Sequence, residues 1–309
     1  MIQVDSLRKS FGSTKAVDTI SFSVKAGEIY GLLGPNGAGK TTTISCISGL
    51  LKPDGGRIEL NGIDIAGDPI AARRSLGVVP QETAIYETLT ARENVAYFAS
   101  LHGLTGAERR QRVTEALERV GLAVNEKQQA RKFSGGMKRR LNLAIGLVSR
   151  PKVLLLDEPT VGIDPQARIH ILDVVRDVLR EGTAILYTTH YLEEAESLCH
   201  RVGIMDHGRV LAEGTIPELR RLVGEGTVVT LRGQFGVDAF REMIGARPNV
   251  KLLSVEDNVG MIAVTGEKKA TSEMLAAILG SRLEIADITM QEPSLQSVFI
   301  KLTGRELRD

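Results

Sequence analysis

The sequence predicts an α/β protein on a mainly parallel sheet, with an antiparallel β segment at its start, a helical insert in its middle and a small α+β unit at its end. Three observations lead there. The run Ile29–Leu33 flows into the glycine-rich stretch GPNGAGKT and then into a helix-forming run, so strand, loop and helix come in order. Strand signals return with VLLLD at 153–157, AILYTTH at 184–190 and RVGIMD at 201–206, and a helical stretch around 166–181 separates the first two. Past about Leu222 the alternation changes to a βαββαβα order, which matches a ferredoxin-like α+β unit.

Taken in order, the elements agree with that outline. From Met1 to about Glu28, runs such as IQVDSL and AVDTISFSV alternate polar and apolar residues, with Gly12 and Gly27 as punctuation, and read as an antiparallel sheet. TTTISCISGLL reads as the helix after the loop. Over about 82–150 the pattern turns helical, with Val113, Ala116, Leu117 and Val120 spaced i, i+3, i+4 and i+7. The expected domains are therefore 1–221, with that insert, and an accessory unit at 222–309. Neither a low-complexity tract nor an internal repeat is visible.

The bulk properties restrict the function classes. A chain of 309 residues suits two domains of unequal size. Net charge +1 favours no polyanionic partner, and nucleic acid is not expected. The two cysteines, Cys46 and Cys199, lack any pairing pattern and fit a reducing cytosol. MIQVDSLRKSFGS has no apolar signal core, and no run approaches the roughly 20 apolar residues a membrane span needs. Residues 105–140 hold ten Lys or Arg against four Glu, which reads first as a solvated helical face, second as proximity to anionic lipid headgroups and third as nucleic-acid contact.

The chemistry sits in three motifs. In GPNGAGKTT, Gly34, Pro35, Asn36, Gly37, Ala38, Gly39, Lys40, Thr41 and Thr42 form a phosphate-binding loop: backbone N–H groups close on the phosphates, Lys40 reaches the β/γ oxygens and Thr41 holds Mg²⁺. Asp157 and Glu158 end an apolar strand about 117 residues downstream. Alone, such a pair is usually a solvated turn; in register with the loop, Asp157 supports Mg²⁺ and Glu158 polarises the attacking water. Ser134, Gly135 and Gly136 open a helix in FSGGMKRRLNLAIG and form a second anion site. Because the loop of the same chain already holds a nucleotide, this second site is best used on the ATP of another subunit.

At FSGGM the chain resembles the ABC ATPase family, whose signature reads LSGGQ; Phe133 and Met137 depart from its commonest form. The resemblance covers about residues 2 to 218 and implies roles for further positions. Gln81 matches the Q-loop glutamine, at Mg²⁺ or the water. Asp164 in GIDP matches the D-loop of the dimer interface, His190 the switch histidine that senses the γ-phosphate, and Phe11 the aromatic that stacks on adenine. FSGGMKRRL and PSLQSVFIKLTGREL are similar to antibiotic-resistance-type exporter ATPases of the daunorubicin and linearmycin kind. The resemblance implies an ATP- and Mg²⁺-dependent subunit on the cytoplasmic face of the membrane. It would pair head to tail with a copy of itself or a related ATPase, and drive a separate permease that exports amphipathic compounds. The rival, a soluble ABC ATPase acting on nucleic acid or the ribosome, usually carries coiled-coil or zinc insertions or two fused ATPase domains, which this sequence lacks. His102, His170, His200 and His207 show no ligand spacing and read as structural.

Overall fold

The computed structural model describes residues 1–224, 226–245, 247–256, 258–266, 268–281 and 283–304. It divides into two compact units, Met1–Val210 and Leu211–Asp309.

The first unit opens with β1 (Ile2–Phe11) and β2 (Thr14–Val24), an antiparallel pair, then β3 (Ile29–Leu33) and α1 (Lys40–Ile47). Helix α1 stops short of the expected run because Gly49 turns to φ 72°, a left-handed conformation that suits a chain leaving a helix. Next come β4 (Gly55–Leu60), β5 (Ile63–Asp64), α2 (Pro69–Arg74) and β6 (Leu76–Val79). The insert consists of α3 (Ala91–Leu101), α4 (Gly106–Arg119) and α5 (Gly135–Leu147). A capping box between Thr90 and Glu93 fixes the start of α3. The unit continues through β7 (Val153–Asp157), α6 (Pro165–Arg180), β8 (Ala184–Thr189), α7 (Leu192–Leu198) and β9 (Arg201–Asp206), and β10 (Arg209–Thr215) leads out of it.

These strands form an antiparallel sheet β2-β1-β4-β5 and a second sheet β10-β9-β3-β8-β7-β6. In the second, β9, β3, β8, β7 and β6 pair parallel, and β3, β7 and β8 are buried along their whole length. Parallel strands covered on both faces lose the polar-apolar alternation, which is why VLLLD and AILYTT are almost purely apolar. The parallel order brings the C-terminal ends of β3, β7 and β8 side by side, where ligands gather in open α/β sheets.

The second unit holds α8 (Ile216–Val223), β11 (Gly226–Gln234), α9 (Val237–Ile244), β12 (Val250–Glu256), β13 (Val259–Thr265), α10 (Lys268–Leu279), β14 (Glu284–Gln291) and α11 (Leu295–Thr303). Its elements from β11 on follow the βαββαβα chain order read from the sequence, and its sheet runs β12-β13-β11-β14 with every pair antiparallel. The division falls earlier than the 221/222 boundary read from sequence, and α8 packs against α11 inside the second unit. Val229, Leu231, Ile262, Val264, Met274 and Ile278 surround the stacked rings of Phe235 and Phe240, whose centroids lie 5.3 Å apart.

Phe240 is fully buried in that small core. Phe240→Ala is expected to cost about 3–5 kcal/mol. Hydrogen exchange read by mass spectrometry should show β11–β14 losing protection while β3 and β7 keep theirs; equal loss in both units would show that they unfold as one.

Candidate functional site

The loop between β3 and α1 owes its shape to two glycines. A Cβ on Gly34 would lie 2.1 Å from the Met205 carbonyl oxygen, and one on Gly39, at φ 108°, would lie 2.2 Å from that of Ala16. Only glycine fits where the loop is pressed between the end of β9 and the start of β2. Asn36, Gly37 and Thr41 are exposed on its rim, while Lys40 is buried. The Lys40 ammonium donates to the carbonyls of Gly34 (2.6 Å) and Pro35 (3.0 Å) and pairs with Glu158 Oε1 at 3.0 Å.

Glu158 sits just past β7 with φ 44°, a left-handed conformation that costs a non-glycine residue about 1–3 kcal/mol and is found where surroundings over-determine it. Here its N–H donates to both the carbonyl (3.2 Å) and Oγ1 (3.0 Å) of Thr188 on β8, and its side chain meets Lys40 on one oxygen and His190 Nδ1 at 3.2 Å on the other. Asp157 is opposite Thr188 in the β7–β8 pairing and accepts from that hydroxyl at 2.6 Å. Burial pushes the Asp157 carboxyl pKa up, against the lowering effect of hydrogen bonds from Thr188 and Thr41. A buried carboxylate fed by hydroxyls, one of them from the phosphate loop, fits a divalent cation, whose charge would offset that desolvation. Among the described residues no three His, Cys, Asp or Glu converge, so such a cation would need oxygens from the nucleotide to complete its shell.

A second assembly lies at the N-terminus of α5. Ser134 caps the helix, accepting from the Met137 N–H at 3.3 Å, and Ser134 and Gly135 are exposed. Asp164 caps α6, accepting from the Ala167 N–H at 2.9 Å. A Cβ on Gly136 would lie 2.8 Å from Ala167 Cβ and 3.1 Å from Asp164 Oδ2. Together with Arg140 and His170 these residues line a cavity of about 300 Å³ to which residues 34–42 contribute nothing.

The structure thus brings Lys40, Thr41, Asp157, Glu158 and His190 into one cluster and Ser134, Gly136 and Asp164 into another. Gln81 joins the first through its backbone, and its side chain is exposed. Phe11 ends β1 with its ring exposed, 5.5 Å from Lys9 Nζ, opposite Thr14 in the hairpin whose return strand touches Gly39. Of the histidines read as structural, His200 accepts the Ile29 N–H through Nδ1 at 3.1 Å.

Three polar residues at this end of the sheet were not singled out by sequence. Thr188 bridges Asp157 and Glu158. Arg139 is buried on α5 and donates to the carbonyls of Pro80, Gln81, Asp157, Glu158 and Pro159. Glu194 on α7 is 1% exposed and accepts from Thr160 (2.6 Å), Tyr187 (2.8 Å), Thr189 (3.0 Å) and Arg168 (2.7 Å). A signal existed for Arg139, since Gly136, Arg139, Leu143 and Gly146 recur at helical spacing on one face. Nothing in the sequence separates Glu194 from Glu193 beside it.

The ABC transporter family matches residues 17–161. The chain is 43% identical to the linearmycin resistance ATP-binding protein LnrL of Bacillus subtilis (strain 168), with all of both chains covered. It is 41% identical to the daunorubicin resistance ATP-binding protein DrrA3 of Streptomyces coeruleorubidus, over 99% of this chain and 97% of the other. Among solved structures, the ATP-binding cassette MJ0796, dimeric and bound to ADP and Pi, superposes with a TM-score of 0.64 at 26% identity, covering 70% of this chain and 98% of that one. With the phosphate loop, the paired carboxylates and the capped glycine helix in the places described, the chain belongs to the ABC transporter family, as one of its ATP-binding, ATP-hydrolysing subunits.

Proposed function

We propose that this ATPase powers an exporter of amphipathic compounds through a permease on another polypeptide, and that it works as a head-to-tail pair at the cytoplasmic face of the membrane. The observation that carries the pairing is the cavity at Ser134, Gly136 and Asp164, exposed and built without any residue of the chain's own phosphate loop. A second subunit's GPNGAGKT would supply the missing half, so each ATP would lie between one loop and the other chain's Ser134–Gly136. Export is inferred from relatives named for resistance to linearmycin and to daunorubicin. A separate permease is inferred from the naming of those relatives as ATP-binding proteins. It would dock on the groove of about 270 Å³ lined by Leu76, Val78, Pro80, Ala84, Phe98 and Ile145, beside the exposed Tyr86 and Tyr97.

Contacts support the roles of Lys40, Asp157, Glu158 and His190, and the family resemblance those of Gln81, Phe11 and Asp164. Lys40 pairs with Glu158 at 3.0 Å. Phosphate oxygens would compete for that ammonium, and each step of its transfer frees the carboxylate to take a proton from water. His190, on the other Glu158 oxygen, would then hold the carboxylate in place and face the γ-phosphate. Thr41, Asp157 and Gln81 would hold Mg²⁺, which spreads the charge of the β- and γ-oxygens. Phe11 would stack on adenine, and Asp164 would meet the partner across the interface. The 1–221 segment would carry ATP chemistry, and the remainder would steady or tune the pair.

Glu158→Gln should keep ATP binding, lower turnover by about a hundredfold or more and accumulate an ATP-bound dimer in sedimentation. Near-normal hydrolysis would remove Glu158 from the role of base. Mixing Ser134→Arg chains with Lys40→Ala chains gathers both defects in one composite site and should restore activity that neither has alone. Absence of recovery in demonstrated mixed dimers would argue against the head-to-tail reading or for strict coupling between the two sites. Recovery of the Glu158→Gln chain from native membranes with ATP should bring an integral membrane protein with it, and its absence would count against the permease.

A further inference from the structure

Helix α5 carries three consecutive cations with different fates. Lys138 pairs with Glu87, and Arg140 donates to the carbonyls of Val120 and Gly121. Arg139 is 4% exposed, and its guanidinium donates to backbone oxygens. Nε donates to Pro159 at 2.7 Å, Nη1 to Pro80 and Gln81 at 2.7 Å each, and Nη2 to Asp157 at 3.0 Å and to Glu158. A guanidinium has five N–H donors, and these five bonds use all of them. The acceptors come from two places only, the turn after β6 and the end of β7 with the turn that follows it, and β6 and β7 are neighbouring parallel strands. One planar group therefore fastens both turns to α5, one helical turn from Gly136.

We infer that Arg139 is a positioning residue that makes the Gln81 turn, the Glu158 turn and the N-terminal end of α5 move as one body. A nucleotide engaged by Ser134–Gly136 would thereby set the place of Gln81 and Glu158 in the same chain's own site, coupling the two ATP sites of the pair. The inference rests on the head-to-tail reading. Charge alone does not supply this link: a lysine there has three donors on a flexible stem and cannot span five carbonyls. The link also reaches the groove assigned to the permease, since Pro80 lines that groove and is one of the five acceptors.

The test uses full-length Arg139→Gln and Arg139→Lys chains, with equilibrium binding of a fluorescent ATP analogue, steady-state ATPase against ATP concentration, and thermal midpoints. Nucleotide affinity should stay near that of the parent chain, while kcat falls about tenfold to a hundredfold, as expected when a base is misplaced but not removed. The parent should show a sigmoidal ATP dependence, and Arg139→Gln should flatten it to a Hill coefficient near one, with Arg139→Lys intermediate. If Arg139→Gln fails to fold, Arg139→Lys decides alone. The inference is overturned if folded variants keep kcat and cooperativity, if affinity and kcat fall in parallel, or if the parent itself shows no cooperativity. Unchanged Arg139 variants alongside recovery in the Ser134→Arg and Lys40→Ala mixture would sink this tie and leave the head-to-tail reading standing; unchanged Arg139 variants alongside failure of the mixture would sink both.

Discussion

The buried pair between Lys40 and Glu158, 3.0 Å apart with each side chain about 4% exposed, is the constraint around which the end of the sheet is built. Removing one member of such a pair leaves an uncompensated charge and costs about 3–5 kcal/mol. Neither charge is held by the other alone. Two loop carbonyls share the ammonium, and His190 touches the second carboxylate oxygen. Each charge thus has another partner within reach. That combination suits a site whose task is to exchange one partner for a phosphate.

The strained backbone at Glu158 comes from the same arrangement. Its left-handed φ is tolerated because Thr188 accepts from its N–H and Arg139 donates to its carbonyl, so the residue is bonded on both sides of its Cα. A glycine would relax the backbone and lose the carboxylate. The protein keeps the carboxylate and stabilises the turn from its neighbours, which is the usual way strain persists at a working site.

Much of this was legible in the sequence because the residues are contiguous. GPNGAGKT, VLLLDE and FSGG each place their functional groups within a few positions, and the local geometry they need is a loop, a strand end or a helix N-terminus. The tail's βαββαβα order was readable for the same reason, since alternation is a local property. The ends of elements and their partners were less so. Strands β4 and β5 and helices α2 and α7 are short, and the unit boundary depends on α8 packing against α11, a contact across about 70 residues of chain. Arg139 and Glu194 stood beside chemically identical neighbours, Arg140 and Glu193. Helical spacing with Gly136, Leu143 and Gly146 marks the face Arg139 takes, whereas the direction of the Glu194 side chain is decided by tertiary packing.

Glu194 and Arg139 divide the work of holding the site between an anion and a cation. Arg139 collects carbonyls, the negative ends of peptide dipoles, from the turns after β6 and β7. Glu194 collects hydroxyls and one guanidinium from the segments on the other side: Thr160 just past Glu158, Tyr187 and Thr189 leading to His190, and Arg168 on α6. Arg168 also lies 4.8 Å over the Tyr191 ring, and Tyr191 packs on His190 at 4.3 Å between ring centroids. The turn that carries Glu158 and the segment that carries His190 are therefore anchored by contacts that do not include Lys40. Were phosphate to draw the ammonium away, the carboxylate would lose a partner and keep its frame, so the proposed proton acceptor would stay aimed while its charge became available.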